Sequence, residues 1–151
     1  MRIKRIWAMP NKRTFTIKPI KELLELYNVG KFVEPFPYTY REDALKYLSR
    51  FKNDSVPGGL FDPPYSPRQL KECYDDIGES LHDTKSSVWS KWKDEVARIV
   101  KPDGLCLSFG WSTQGMGKCR GFKIIEILLV PHGGNHNDTI CVVEQKIAHK
   151  E

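Results

Sequence analysis

The chain has 151 residues, 40% of them apolar and 28% charged, with a net charge of +5. That length suits one domain with one packed core, and the composition excludes a collagen-like, disulfide-scaffold or disordered class. No apolar run approaches the length of a membrane span, and the basic start Met1-Arg2-Ile3-Lys4-Arg5 lacks the apolar stretch of a signal peptide, so a cytoplasmic location is expected.

Residues 1–21 carry seven cations (Arg2, Lys4, Arg5, Lys12, Arg13, Lys18, Lys21) and no acid. Trp7 and Phe15 are interleaved with them, a pattern that suits a polyanion with stackable bases, though a merely solubilising segment reads the same way. Arg5–Met9 is read as a short strand. Pro19 then opens a helix at its favoured first position, with Ile20, Leu23, Leu24 and Tyr27 on one face and Gly30 beyond its end. Lys31–Glu34 is a short strand stopped by Pro35 and Pro37, Tyr38–Arg41 a further strand candidate, and Glu42–Phe51 a second helix presenting Ala44, Leu45, Leu48 and Phe51.

Gly59-Leu60-Phe61 leads into Asp62-Pro63-Pro64-Tyr65, after which Ser66 and Pro67 read as the cap and first turn of a helix through Leu70, Cys73 and Tyr74. Residues 75–84 are polar and read as a loop. Lys85–Val100 forms a longer helix with Val88, Trp92, Val96 and Ile99 inward, ended by the turn Lys101-Pro102-Asp103-Gly104. Leu105–Gly110, Phe122–Val130 and Thr139–Gln145 are strands, the last two joined as an antiparallel hairpin. The whole reads as a single α/β domain, residues 1–151: a sandwich with a mostly parallel sheet and a C-terminal antiparallel hairpin. The four cysteines show neither a Cys-x-x-Cys pair nor zinc-ligand spacing and are read as reduced and structural, with no metal site expected.

Asp62-Pro63-Pro64-Tyr65 carries the chemistry. Holding an exocyclic amine for alkylation needs a side-chain acceptor, a backbone carbonyl and a flat ring converging on one nitrogen. Asp62 supplies the first, Pro63 the second with no competing N–H of its own, and the Tyr65 ring can stack on a base drawn out of its helix. A Pro-rich turn leaving a strand is the plainer alternative. In open α/β sheets ligands bind at the carboxyl ends of strands, where this motif falls.

On these residues, and on Ser87–Lys91, Arg98–Gly104, Phe109-Gly110-Trp111 and Glu126–Gly134, the chain resembles the DNA adenine N6-methyltransferases, particularly small phage-encoded ones. The resemblance implies a Rossmann-like methyltransferase sandwich and transfer of a methyl group from S-adenosylmethionine to adenine in DNA. It further implies Asp62, Pro63 and Tyr65 as catalytic residues. Thr14–Ile20 matches the family's segment around the methionine part of the cofactor, implicating Phe15, Lys18 and Pro19; Glu34, Phe36 and Asp43 match its further cofactor contacts, with Asp62 shared. Arg68, Lys12, Arg13, His132 and His136 are the candidate DNA contacts, although histidines in a hairpin connection can be incidental. Asp62 favours an adenine amine over a glutamine amide, where relatives tend to carry Asn, and nothing here reads a 2′-hydroxyl, so RNA stays open. A phage-encoded protein would act in the host cytoplasm.

One departure is large. Only residues 35–42 separate Glu34 from Asp43, whereas a crossover unit needs at least about 10–12 residues. The sheet is therefore expected to be truncated on that side, without the family's ribose-binding acid. Two outcomes are expected: a pocket completed by a second copy or a rearranged loop, or a catalytically lapsed relative that binds nucleic acid, cofactor or a methyltransferase partner. A homodimer touching through Phe36, Tyr38 and Tyr40 would cover the shortened side.

Overall fold

The structure is a computed structural model that describes residues 1–36, 42–78 and 87–148. The strand expected at Tyr38–Arg41, and Tyr38 and Tyr40 of the expected dimer contact, lie outside the described residues.

Five strands form one open sheet in the order β1-β4-β5-β3-β2, where β1 is Arg2–Arg5, β2 Val56–Phe61, β3 Val100–Gly110, β4 Phe122–Val130 and β5 Thr139–Lys146. β1 runs parallel to β4 and β2 parallel to β3, while β5 lies antiparallel between β3 and β4. Four strands thus point one way, and the C-terminal hairpin supplies the single reversed strand. The α/β sandwich with a mostly parallel sheet is the architecture observed.

Alternation along the strands divides the core into two layers. Phe61 and Cys106 face one cluster with Phe36, Leu48, Leu70, Trp92 and Val96, and Leu60 and Leu107 face another with Ile20, Leu23, Phe109, Leu128 and Val143. Helices α2 (Ala44–Leu48), α3 (Pro67–Asp76) and α4 (Ser87–Ile99) cover the first face, and α1 (Lys18–Leu26) covers the second. Trp92 is fully buried, and truncating such a ring to Ala costs about 3–5 kcal/mol.

Several boundaries differ from the expected ones for local reasons. α1 stops before Gly30 as expected, but the left-handed residue that turns the chain is Asn28, at φ 50°, rather than that glycine. α2 is half the expected length, starting where the Asp43 side chain accepts the Lys46 N–H at 2.9 Å. α3 runs on through Asp75 and Asp76, in place of the expected loop. β1 begins at Arg2 rather than Arg5; all four of its residues are exposed, so no apolar alternation marks it. Its ladder nevertheless continues as isolated bonds, Ile6 N–H to Leu129 at 2.9 Å and Ala8 N–H to Pro131 at 3.1 Å.

The turn at Lys101–Gly104 exists, but inside β3 rather than before it. Pairing jumps from Val56 with Val100 to Gly58 with Leu105, so the turn bulges out of the ladder. Asp103 is left-handed at φ 63°, and a Cβ on Gly104 would lie 2.8 Å from the Pro57 carbonyl oxygen.

Lys31–Glu34 contributes a single bridge, Val33 to Gly59, rather than a strand. Beyond it no further strand is found among the described residues, which agrees with a sheet shortened on this side. Phe36 does not wait there for a partner. It packs edge-on to Phe61 at 5.6 Å and to Trp92 at 4.7 Å, inside the core, which removes it from the expected dimer contact. Among the described residues no helix is long and apolar enough to cross a membrane.

Candidate active site

β2 ends at Phe61, and the chain turns out of the sheet through Asp62-Pro63-Pro64-Tyr65 before α3 starts. Four bonds hold this turn. Ser66 caps α3 by accepting the Gln69 N–H at 3.2 Å, and Gln69 reaches back so that its Oε1 accepts the Tyr65 N–H at 2.9 Å. Trp89 Nε1 on α4 donates to the Pro64 carbonyl at 3.2 Å. The Tyr65 hydroxyl donates to Asp62 Oδ1 at 2.6 Å. Tyr65 meets Trp111, just past the end of β3, edge-to-face at 5.4 Å, and Trp111 remains 49% exposed.

The turn forms one wall of a cleft of about 630 Å³, within the range of small-molecule and cofactor sites. The 12–16 segment lines it too, with Phe15 packed on Phe109 at 5.0 Å and the Thr14 hydroxyl against Asp62 and Tyr65. Glu34 and Phe36, and Glu72, Cys73 and Asp76 of α3, complete the lining.

Of the four carboxyls that line this space, Asp62, Glu34, Glu72 and Asp76, the first two are raised in pKa, and neither has a cation bonded to it among the described residues. Burial pushes Asp62 above the usual carboxylate range, with the Tyr65 and Thr14 hydroxyls opposing that rise. Burial also raises Glu34, and the nearby Asp62 charge raises it further. The Tyr65 phenol is raised by burial and then by Asp62. The cleft therefore favours a ligand that brings positive charge to the two acids.

Lys12, Arg13, Phe15, Glu34, Phe36, Asp62, Pro63 and Tyr65, all singled out in the sequence, line this one cleft. The remaining candidates lie elsewhere. Lys18 is exposed and Pro19 buried at the start of α1, neither lining the cleft. Asp43 is a correction: besides capping α2, its Oδ2 accepts the Tyr74 hydroxyl at 2.6 Å, so both oxygens are engaged away from the cleft. Arg68 pairs with Glu72 at 2.9 Å on the exposed side of α3. His132 is a second correction. It is buried, with Nδ1 bonded to the Ala8 carbonyl at 2.8 Å and Nε2 to the Thr139 hydroxyl at 2.8 Å, so it fastens the hairpin connection to the N-terminal segment and cannot reach a phosphate. His136 is exposed in the same connection.

Sequence reasoning passed over Thr14, Gln69 and Trp89 as site residues. Gln69 had a signal, four residues past Tyr65 in the first turn of a helix. Trp89 packs on Trp92 at 5.4 Å as a helix residue would, and its indole N–H also fixes the turn. Among the described residues no cluster of three His, Cys, Asp or Glu side chains could hold a metal ion.

No family model and no curated protein matches the chain. Solved structures overlap it in part. One is a protein of Thermus thermophilus, TTHA0409, provisionally assigned as a DNA modification methylase: 17% identity, 74% of this chain and 54% of that one, TM-score 0.44. Another is PH0851: 16% identity, 96% of this chain and 42% of that one, TM-score 0.42. The chain thus spans about half the length of these structures, or less.

Proposed function

We propose that the chain is an S-adenosylmethionine-dependent methyltransferase acting on the N6 amine of adenine in DNA. The observation that carries this reading is Asp62-Pro63-Pro64-Tyr65 at the carboxyl edge of β2, with the Asp62 carboxyl turned into a cleft it shares with Glu34 and Phe15. S-adenosylmethionine has an ammonium and a sulfonium, and two unneutralised acids are the complement such a ligand needs; when bound it would supply an already activated methyl group. Asp62, anionic, would accept one amine hydrogen and the Pro63 carbonyl the other, leaving the nitrogen lone pair free to take the methyl group as the sulfonium leaves as a neutral thioether. The amine's surplus proton would pass by way of Asp62 to water. Tyr65 holds Asp62 in place. The contribution is orientation and amine polarisation, without a nucleophilic side chain.

DNA as the partner draws support from the rim. Lys12 and Arg13 border the cleft, and exposed Trp7 and Trp111 follow the carboxyl ends of β1 and β3, which point the same way, offering cations and rings to phosphates and bases. Purified protein should place labelled methyl on adenine in DNA, and Asp62→Ala should stop it with the fold intact. A folded wild-type chain that labels no DNA sinks the proposal.

A specific observation favours a second reading, a lapsed relative that keeps DNA binding. The sheet ends at the lone Val33 bridge among the described residues, and Asp43 is engaged by the Lys46 N–H and the Tyr74 hydroxyl rather than offered to a cofactor. Losing one charged hydrogen bond removes about 1.5–3 kcal/mol. Calorimetric titration separates the two: micromolar S-adenosylmethionine binding supports the enzyme, while salt-sensitive DNA binding without cofactor affinity supports the lapsed relative.

A further inference from the structure

The turn at 62–65 has a second side. Pro63 and Tyr65 also border another cleft, of about 510 Å³, that opens between α4 and the end of β3. Its lining combines the rings of Tyr65, Trp89 and Trp111 with the polar side chains of Lys93 and Ser108, and with Ser90 and Gln114, which are exposed.

Two groups in this cleft lack partners. The Ser108 hydroxyl is only 7% exposed and has no hydrogen-bond partner; the Cys106 thiol beside it is too weak an acceptor to satisfy it. The Lys93 ammonium, half-buried, makes no hydrogen bond or ion pair among the described residues. The cations and acids around it do not fill that role. Arg120 is a second positive charge, paired with Asp94 at 2.7 Å and bonded to the Met116 carbonyl at 3.0 Å and Ser90 Oγ at 2.9 Å. Glu144 accepts the Met116 N–H at 2.6 Å and the Gly117 N–H at 3.0 Å; its charge reaches Lys93 but it forms no ion pair with it. Burial and then Arg120 lower the Lys93 ammonium below its ordinary range, with Glu144 opposing, and no acid bonds the ammonium directly.

We propose that this cleft is a nucleotide phosphate site, with Lys93 as the counter-charge, Ser108 as a hydroxyl donor, and Tyr65 and Trp111 as walls for the attached ring. An ammonium and flat rings lining one cleft fit an anion carried on a heterocycle better than a bare inorganic ion. The proposal rests on the nucleic-acid reading above only for the origin of the phosphate, which comes from a free mononucleotide or from a DNA strand.

The test is binding to the purified chain without S-adenosylmethionine, followed by Trp fluorescence. The probes are deoxyadenosine monophosphate, inorganic phosphate and a short single-stranded oligonucleotide. The mononucleotide should bind more tightly than inorganic phosphate. Lys93→Met should weaken it about tenfold, Ser108→Ala less, and Lys93→Arg, which keeps the charge, should restore most of the loss. Binding of the oligonucleotide alone, with the same dependence on Lys93, assigns the phosphate to a DNA strand; binding of the mononucleotide as well assigns it to either source. Binding that ignores both substitutions, or no binding of any probe to folded protein at millimolar concentration, overturns the proposal. Methyl transfer assayed separately keeps the two readings apart: transfer unaffected by Lys93→Met, with no probe bound, removes this site and leaves the enzyme, whereas Lys93-dependent binding without transfer does the reverse.

Discussion

Asp62 and Glu144 are both carboxylates drawn out of water, and the chain treats them in opposite ways. Glu144 is fully buried in β5, and both its oxygens accept backbone N–H groups from the Met116–Gly117 turn. Asp62 has hydroxyl partners only, Tyr65 and Thr14, and opens into a cleft where a second acid, Glu34, adds repulsion. Burial raises the pKa of both. Backbone amides offset that rise at Glu144, where the chain needs an anchor. At Asp62 the strain remains, as expected where a ligand is to complete the site.

The sharpest way to break this comparison is Asp62→Asn. The amide still accepts from Tyr65 but cannot hold the amine as an anion does, so methyl transfer should fall by at least about 100-fold. Thermal stability should hold or rise, because a carboxyl raised above its ordinary pKa is a net cost to the fold when ionised. A fall in melting temperature as large as the loss of activity would show that Asp62 is structural after all.

Glu144→Gln should do the reverse. One amide acceptor remains, but the new NH₂ group faces a backbone N–H, and the loss should be about 2–4 kcal/mol by urea unfolding. Gly115→Ala should act at the same place: its φ is +53°, and a Cβ there would lie 2.3 Å from Glu144 Oε2. Transfer per folded molecule should change little in either variant, and a selective loss of transfer would blur the distinction between the two acids.

The pH dependence sharpens it further. Asp62 and Glu34 have raised folded pKa values, so the stability they contribute is present at acid pH and is lost as pH rises through those values. Transfer needs Asp62 ionised and should climb through the same window. Stability and activity should therefore move in opposite directions, in a range above the usual aspartate titration. Glu144 has the same sign but is retained in Asp62→Asn, so the difference between wild type and variant reports Asp62 together with the rise it imposes on Glu34. An activity profile that rises at the ordinary aspartate pKa contradicts the burial argument.

How far this contrast could be read in the sequence depends on the range of the contacts. The Asp62–Tyr65 turn was legible because most of its bonds, those among Asp62, Tyr65, Ser66 and Gln69, are local, and so were β2 to β5 from their apolar runs. β1 was misplaced because all four residues are exposed and only pairing with Leu128 and its neighbours makes them a strand. His132 was misread because its partner is Ala8, 124 residues away, and no spacing rule announces such a bond. Asp43 was misread because a helix cap and a ligand contact ask for the same residue type. Glu144 was passed over altogether: an acid in an apolar strand gives no sign that a turn will wrap its N–H groups around it.

Trp89→Phe should have the smallest effect and discriminates most finely. The ring would still pack on Trp92, while the bond from the indole N–H to the Pro64 carbonyl at 3.2 Å would be lost. A neutral hydrogen bond of this kind contributes about 0.5–1.5 kcal/mol, so unfolding should shift only slightly. Transfer should suffer more, because Pro64 sits between the Pro63 carbonyl and the Tyr65 ring, and a small displacement there misaligns the amine. The variant should therefore lower kcat with little change in KM for S-adenosylmethionine, whose cleft lies across the turn. Equal losses in kcat and stability would mean that Trp89 only packs. A raised KM with unchanged kcat would mean that the turn holds the cofactor rather than the amine, and Asp62 would lose its assigned role along with it.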